Sequence, residues 1–112
     1  MDGCIFCSII NKQVKADVIY EDRDLIVIKD HKPIAKHHYL VIPAAHYANL
    51  AEMTVFNANS LAVIMKKIPE IVESLGIKNG YRLVINQGED AGQTVQHFHI
   101  HLLAGQKMSF TV

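Results

Sequence analysis

Near its C-terminal end the chain alternates three histidines with three apolar residues, in residues 97–102, which read HFHIHL. Successive side chains of a strand point to opposite faces, so a strand at residues 96–103 would place His97, His99 and His101 on one face, about 7 Å apart. A neutral imidazole can act as a nucleophile, a proton donor or a metal ligand near pH 7. Because such a row is too polar for an ordinary core face, we predict an exposed histidine row that forms a functional site.

The segment before the histidines carries groups that suit phosphate binding. Gly88 and Gly92 predict a turn, and backbone N–H groups beside glycines can approach a phosphate closely. Gln93 and Thr94 add side-chain donors, and Asn86 would point its carboxamide into the same region. Together with an imidazole row, these donors predict phosphorus chemistry without a metal clamp.

Cys4 and Cys7, which are the two cysteines of the chain, form a C-x-x-C pair. The pair could be a disulfide, a redox pair or half of a metal site. A redox pair normally opens a helix that follows a strand, and no strand is predicted before Cys4. Two thiolates could also supply two corners of a tetrahedral zinc site, with histidines for the rest.

The remaining pattern predicts the elements that position these residues. Four further strands are predicted at residues 18–21, 25–28, 38–43 and 82–86. A short helix is predicted at residues 6–12, and a main helix begins after Thr54 and ends at Gly76. The apolar stripe of the main helix comprises residues 61, 64, 65, 68, 71, 72 and 75. Pro69 predicts a kink or two abutting helices.

This order of elements predicts an α+β fold in a single domain, residues 1–112. The fold would be a five-stranded antiparallel sheet with one main helix on a face and a short N-terminal helix. The chain has 11 basic and 11 acidic residues, which gives no reason to expect a nucleic-acid or membrane surface. No apolar run approaches the roughly 20 residues of a membrane span, and no signal peptide is visible. A cytoplasmic protein is therefore expected.

The block GQTV at residues 92–95, followed after one spacer by HFHIH, resembles the signature of the histidine triad (HIT) family of nucleotide hydrolases and transferases. The resemblance extends from residues 6–10 through residues 38–43 to the histidines, and it is greatest to the Hint branch, whose members cleave nucleoside phosphoramidates. It implies the HIT-like fold and hydrolysis of purine nucleoside 5′-phosphoramidates to nucleoside monophosphates through a covalent nucleotidyl-histidine intermediate. It also implies a symmetric homodimer.

The resemblance implies a role for each site residue. The catalytic histidines would be His38, His97, His99 and His101, with His99 attacking the α-phosphorus and His101 donating to phosphate. Phosphate would be contacted by Asn86, Gly92, Gln93, Thr94 and the Val95 backbone. Asp30 would accept hydrogen bonds from the ribose, and Phe6, Ile9 and Ile28 would flank the base.

Similar family members that carry the cysteine pair bind zinc with it, which implies a site formed by Cys4, Cys7, His46 and His97. Four protein ligands leave no position for water, so this zinc would be structural. The alternatives are two reduced thiols of minor importance, with His46 as an exposed loop residue. The histidines could instead build a catalytic zinc site.

Two departures from the Hint pattern leave other functions open. Thr94 stands where that branch usually carries serine, and resembles the diadenosine polyphosphate hydrolases in this respect. The sequence given also stops at Val112, soon after the histidines, where Hint proteins have an aromatic-rich tail. The alternatives are a dinucleoside polyphosphate hydrolase and a nucleotide-binding or interaction protein with incidental turnover.

Overall fold

The computed structural model describes residues 3–112 and confirms the predicted α+β fold. The α-helices and strands are α1 (Ile5–Ile10), β1 (Val18–Glu21), β2 (Leu25–Lys29), β3 (His37–Pro43), α2 (Val55–Ser74), β4 (Tyr81–Val84) and β5 (Ile100–Ala104), and a 3-10 helix, Leu50–Glu52, precedes α2. The five strands form one sheet in the order β1-β2-β3-β5-β4, and every pair of neighbours is antiparallel. Met1 and Asp2 lie outside the described residues. The predicted domain includes both of them, and so does the N-terminal segment in which no signal peptide is visible. No helix within residues 3–112 combines the length and apolarity needed to cross a bilayer.

Helix α2 begins and ends where its capping residues predict. The Thr54 hydroxyl accepts the backbone N–H of Asn57, and the Asn57 side chain accepts the N–H of Thr54, so the two residues form a reciprocal capping box. At the other end Gly76 has a φ of +74°, a left-handed conformation that glycine adopts without strain. Both predicted ends are confirmed.

Pro69 does not divide α2, so the prediction of two abutting helices is wrong. The proline removes the N–H that would bond the carbonyl of Met65, four residues earlier. Both residues are exposed, so the loss falls on the solvent side of the helix rather than in the core. Met65 is 41% exposed, so it does not belong to the buried stripe that was predicted to include it.

The sheet is covered on both faces. On one face, α2 packs against alternate residues of the central strands, including Val27, Val41 and Ile100. On the other face, α1 packs against Ile26, Ile28, Leu40 and Ile42. Directly paired residues of neighbouring strands share a face, and His101 pairs with Leu40. The histidines therefore lie on the α1 side of the sheet.

Strand β5 begins at Ile100, so the prediction of a strand from residue 96 is wrong at its N-terminal end. Pairing with β3 ends at Val41 and Ile100. Pro43, the last residue of β3, has no N–H to donate, and its carbonyl accepts a hydrogen bond from the His97 ring. The Phe98 N–H donates instead to the carbonyl of Tyr47, at 2.7 Å. The alternation of side chains survives, since Phe98, like Ile100, packs on the α2 side.

The predicted exposure of the histidine row is also wrong. His97 is completely buried and His99 is 8% exposed. The ring of Phe6, on α1, meets both imidazoles edge-on, with centroids 5.8 Å from His97 and 5.1 Å from His99. A helix distant in sequence thus covers most of the row.

An ion-pair cluster ties α2 to the β1–β2 turn. The Lys67 ammonium lies 2.7 Å from an Asp22 carboxylate oxygen and 2.9 Å from one of Asp24, and the Tyr20 hydroxyl also donates to Asp22. Burial by itself raises the pKa of Asp22, but the hydrogen bonds from Lys67, Tyr20 and the turn backbone outweigh it and lower the pKa to about 2.

Lys67→Met is expected to lower the midpoint of thermal unfolding at pH 7 by on the order of 5 °C, and by much less at pH 2. The stabilisation is present above the ordinary Asp pKa of 3.8 and is lost as the pH falls towards about 2, because the folded-state pKa is depressed. Calorimetry at both pH values measures the difference. Lys66→Met, at an exposed neighbour, is the matched control, and equal losses at pH 7 and pH 2 would contradict the assignment.

Candidate active site and metal centre

His99 presents an unprotonated ring nitrogen to the α1 side of the sheet. Its Nδ1 lies 2.7 Å from the backbone carbonyl oxygen of His97. A carbonyl oxygen only accepts hydrogen bonds, so Nδ1 carries the proton and the lone pair is on Nε2. This hydrogen bond fixes the tautomer that a nucleophilic imidazole requires.

A second chain of hydrogen bonds fixes His38 and His101. The Ile34 N–H donates to His38 Nδ1 at 3.2 Å, so the proton of the neutral His38 ring is on Nε2. That nitrogen lies 2.9 Å from His101 Nδ1, which must accept. The remaining proton of His101 is therefore on its Nε2, as a hydrogen-bond donor. Asp30 lies beside this pair, with a carboxylate oxygen 3.4 Å from His38 Nε2.

Both imidazoles of this pair are held neutral at pH 7. Burial lowers the pKa of His38, although the Asp30 carboxylate opposes the shift. Burial also lowers the pKa of His101, and the neighbouring imidazoles of His99 and His38 lower it further. His101 thus offers a neutral N–H donor, not an imidazolium.

The His38–His101 pair opens into a cleft of about 540 Å³, which we call the histidine cleft. Asn86 lines it, as its position after β4 predicts. Arg82 lines it too, and its guanidinium donates to the backbone carbonyl of Phe110. The C-terminal residues Met108, Ser109, Phe110 and Val112 form an outer wall. The cleft therefore combines imidazole, amide and guanidinium donors with an apolar wall.

Four ligand atoms converge behind the histidine triad. The sulfurs of Cys4 and Cys7 and the Nδ1 atoms of His46 and His97 all lie within 4.8 Å of one another. The S···N distance is 3.5 Å from Cys4 to His97, 3.4 Å from Cys7 to His46 and 3.6 Å from Cys7 to His97, and the N···N distance is 3.1 Å. Tetrahedral zinc with ordinary bond lengths requires about 3.5 Å between S and N and about 3.3 Å between the two N atoms. The set fits zinc.

The surroundings of the cluster also suit a metal. The His97 Nε2–H donates to the Pro43 carbonyl at 2.8 Å, which leaves Nδ1 free to coordinate. Burial lowers the pKa of His97 to about 4, so this ring is neutral. The two cysteines are free thiols, and burial followed by the hydrogen bond with Cys4 raises the pKa of Cys7. Metal binding would have to displace the thiol protons.

The glycine-rich loop is used differently from the prediction. The Gln93 amide group donates to the carbonyls of Ala48 and Val95, and its oxygen accepts the Gly88 N–H. Because both amide hydrogens are already donated, this geometry does not support the predicted phosphate contact of Gln93. The Gly92 N–H donates to the Glu89 carbonyl inside the turn, so it too is occupied.

The other predicted binding residues fall into two groups. Thr94 and Val95 border a groove beside Cys4 and His46, not the histidine cleft. Phe6 and Ile9 of α1 pack with Ile28 of β2, and each is buried, so they form an apolar wall beside His99 with little free surface.

Sequence reasoning did not identify which backbone groups organise the site. They are the carbonyls of Pro43 and His97 and the N–H of Ile34. A backbone group has no residue-type signature, so pattern alone could not identify these partners. Arg82 was also missed, although its alternation with Leu83 in β4 could have placed it on the histidine side.

Comparisons with known proteins agree with this architecture. The family model described as "Scavenger mRNA decapping enzyme C-term binding" matches residues 3–111. "Protein HitA" of Neisseria gonorrhoeae is 40% identical over 103 residues, which cover 92% of this chain and 96% of that protein. The structure of a HIT family hydrolase from Clostridium thermocellum superposes with a TM-score of 0.93 at 43% identity, covering 100% of this chain and 98% of the other.

A third similar protein bears on the metal cluster. It is a zinc-bound histidine triad family protein from Mycobacterium smegmatis, whose structure has a TM-score of 0.79 and 30% identity. The match covers 96% of this chain and 78% of that one.

Proposed function

Because this chain belongs to the histidine triad (HIT) family, we propose that it cleaves the P–N bond of purine nucleoside 5′-phosphoramidates and releases the nucleoside monophosphate. The observation that carries the proposal is the tautomer of His99. A ring whose Nδ1–H is committed to a backbone carbonyl has a nucleophilic Nε2 without any further base. A protein that only binds nucleotides has no need of such a nucleophile.

In the first step His99 Nε2 attacks the α-phosphorus and forms a P–N bond to the ring. The bond to the leaving amine breaks, and the amine takes a proton from solvent. The ring then carries a positive charge, which the carbonyl dipole of His97 stabilises through Nδ1–H. In the second step water attacks the phosphorus and releases a proton to solvent, the P–N bond to the ring breaks so that neutral His99 is regenerated, and the nucleoside monophosphate leaves.

Two residues of the histidine cleft are assigned to the non-bridging phosphate oxygens. His101 donates through its Nε2–H, whose position follows from the chain Ile34–His38–His101. Asn86 lines the same cleft and contributes a carboxamide. By similarity Asp30 would accept hydrogen bonds from the ribose hydroxyls, and its contact with His38 supports a ribose position next to the phosphate donors.

We further propose that Cys4, Cys7, His46 and His97 hold a structural zinc. The metal would supply cross-links between α1, the β3–α2 segment and the start of the triad, and four protein ligands leave no position for a catalytic water. His97 then serves both centres, because its ring faces the metal ligands and its carbonyl holds His99.

A homodimer is part of the proposal. Strand β4 is an edge strand, with one side of its backbone unpaired by the five-stranded sheet. At the start of α2, Val55 is 80% exposed and Phe56 is 77% exposed. A second copy of the chain that extended the sheet and covered α2 would remove both features from water.

The proposed activity is tested by comparing two substrates. We expect kcat/KM for adenosine 5′-phosphoramidate to exceed that for diadenosine triphosphate by roughly tenfold or more, because the leaving amine is small and needs no anion site of its own. The reverse ranking would favour the dinucleoside polyphosphate alternative, which Thr94 supports. Binding of AMP without turnover of either substrate would favour a nucleotide-binding protein.

His38→Ala is expected to lower kcat by about 10- to 100-fold, because it removes the donor that holds His101 in its Nε2–H tautomer. The nucleophile itself is untouched. Steady-state kinetics measure the effect, and His37→Ala, on the adjacent residue of the opposite sheet face, is the matched control. Equal losses in the two variants would show that His38 acts only through the fold.

A further inference from the structure

A second cleft lies beside the histidine cleft, where three segments of the chain meet. It has a volume of about 500 Å³ and is lined by residues 36–37, 76–80 and 105–107. We call it the basic cleft, because Lys36, Lys78 and Lys107 each line it. None of its lining residues is acidic, and these residues all belong to the described part of the chain.

The charge at this cleft departs from that of the molecule as a whole. The chain is neutral, with 11 basic and 11 acidic residues, yet the cleft is lined by three basic residues and by no acidic residue. Within residues 3–112, none of the three lysines forms an ion pair, whereas Lys12 and Lys67 do. Three ammonium charges around one concave surface, with no counter-charge among its walls, produce a local positive potential.

The walls of the basic cleft are held in place by specific contacts. The Gln106 side-chain oxygen accepts the backbone N–H of Lys36 at 2.8 Å, which ties two of the segments together. Gly105 has a φ of +91°, and a Cβ added there would lie 2.7 Å from His37 Cδ2 and 2.9 Å from Lys36 Cβ. The close approach of these segments therefore depends on glycine at position 105.

Amide donors complete the lining. Asn79 contributes a carboxamide, and the Gln106 side chain has an NH₂ group beyond the oxygen that it uses for Lys36. Lysine binds phosphate as a point charge, and amide groups add directed hydrogen bonds. The combination suits an anion with several phosphate groups, because the charge of one phosphate would leave part of the three ammonium charges uncompensated.

We propose that the basic cleft binds a small anion that carries several phosphate groups, at a site separate from the histidine cleft. The two clefts meet at Gln106, which lines both. The inference rests on the charge and shape of the basic cleft and does not depend on the proposed hydrolase activity. The alternative to a binding site is that the three lysines are solvated independently of one another.

The test is calorimetric titration of the whole zinc-loaded chain with inorganic tripolyphosphate at low ionic strength. We expect saturable binding that the double variant Lys78→Gln/Lys107→Gln weakens at least tenfold. The matched control is Lys15→Gln/Lys66→Gln, which makes the same change in net charge at exposed lysines outside the cleft and should shift the affinity less than twofold. Amide resonances of Gly76, Gly80 and Gly105 should move during the titration.

Three results would overturn the proposal. Absence of binding by the wild type would show that the lysines are merely solvated. Equal weakening in both double variants would show a non-specific effect of net charge. Loss of binding in His101→Ala, with the lysine variants unaffected, would place the anion in the histidine cleft. A chain inactive on phosphoramidates could still bind tripolyphosphate, so failure of this proposal and failure of the proposed function are distinguishable.

Discussion

His99→Ala is expected to lower kcat for adenosine 5′-phosphoramidate by about 10³-fold or more, since the variant has no atom that can form the covalent intermediate. Binding of AMP should remain within a few-fold of wild type, because the phosphate donors His101 and Asn86 are retained. Steady-state kinetics measure the first effect and calorimetry the second. Rapid quenching of the wild type should also trap a nucleotidyl adduct on His99, detectable by mass spectrometry.

The controls separate loss of the nucleophile from loss of structure. His31→Ala, in an exposed loop, removes an imidazole without touching the site and should retain full turnover. His99 is buried against Phe6, so circular dichroism and the unfolding midpoint of the alanine variant must be compared with the wild type. Turnover in a folded His99→Ala chain equal to that of the wild type would exclude the proposed mechanism.

Cys4→Ser is expected to abolish stoichiometric zinc binding and to lower the unfolding midpoint by on the order of 10 °C. Serine is a poor zinc ligand but a good helix N-cap, so it can still accept the Cys7 N–H that Cys4 accepts in α1. The loss can therefore be assigned to the metal rather than to the start of the helix. Zinc content per chain and calorimetry with and without added zinc are the measurements.

The activity of the metal-free chain distinguishes a structural zinc from a catalytic one. At a temperature where chelated wild type remains folded, turnover should persist, because His99, His101 and Asn86 are not part of the four-ligand set. Turnover that disappears on chelation in a folded chain, and returns with zinc, would identify a catalytic metal. A zinc content unchanged in Cys4→Ser would refute the ligand assignment.

Much of the fold could be predicted because its determinants are local. The cap at Thr54 and the end at Gly76 depend on residues a few positions apart, and the alternation at residues 97–102 separates core from histidine side chains whether or not the segment is a regular strand. The family signature was readable for a similar reason, since its glycine, amide and imidazole groups lie within a single stretch of the chain.

The tertiary structure alone decided how these residues are used. Phe6 of α1 packs against His99 and buries it. The Pro43 carbonyl accepts a hydrogen bond from the His97 ring, and the N–H of Ile34 fixes the tautomer of the His38–His101 pair. In each of these contacts a side chain meets either a backbone group or a residue of another element. Side-chain periodicity encodes which face a residue occupies, but burial, proton position and the gathering of distant lysines depend on long-range packing, which a local pattern does not contain.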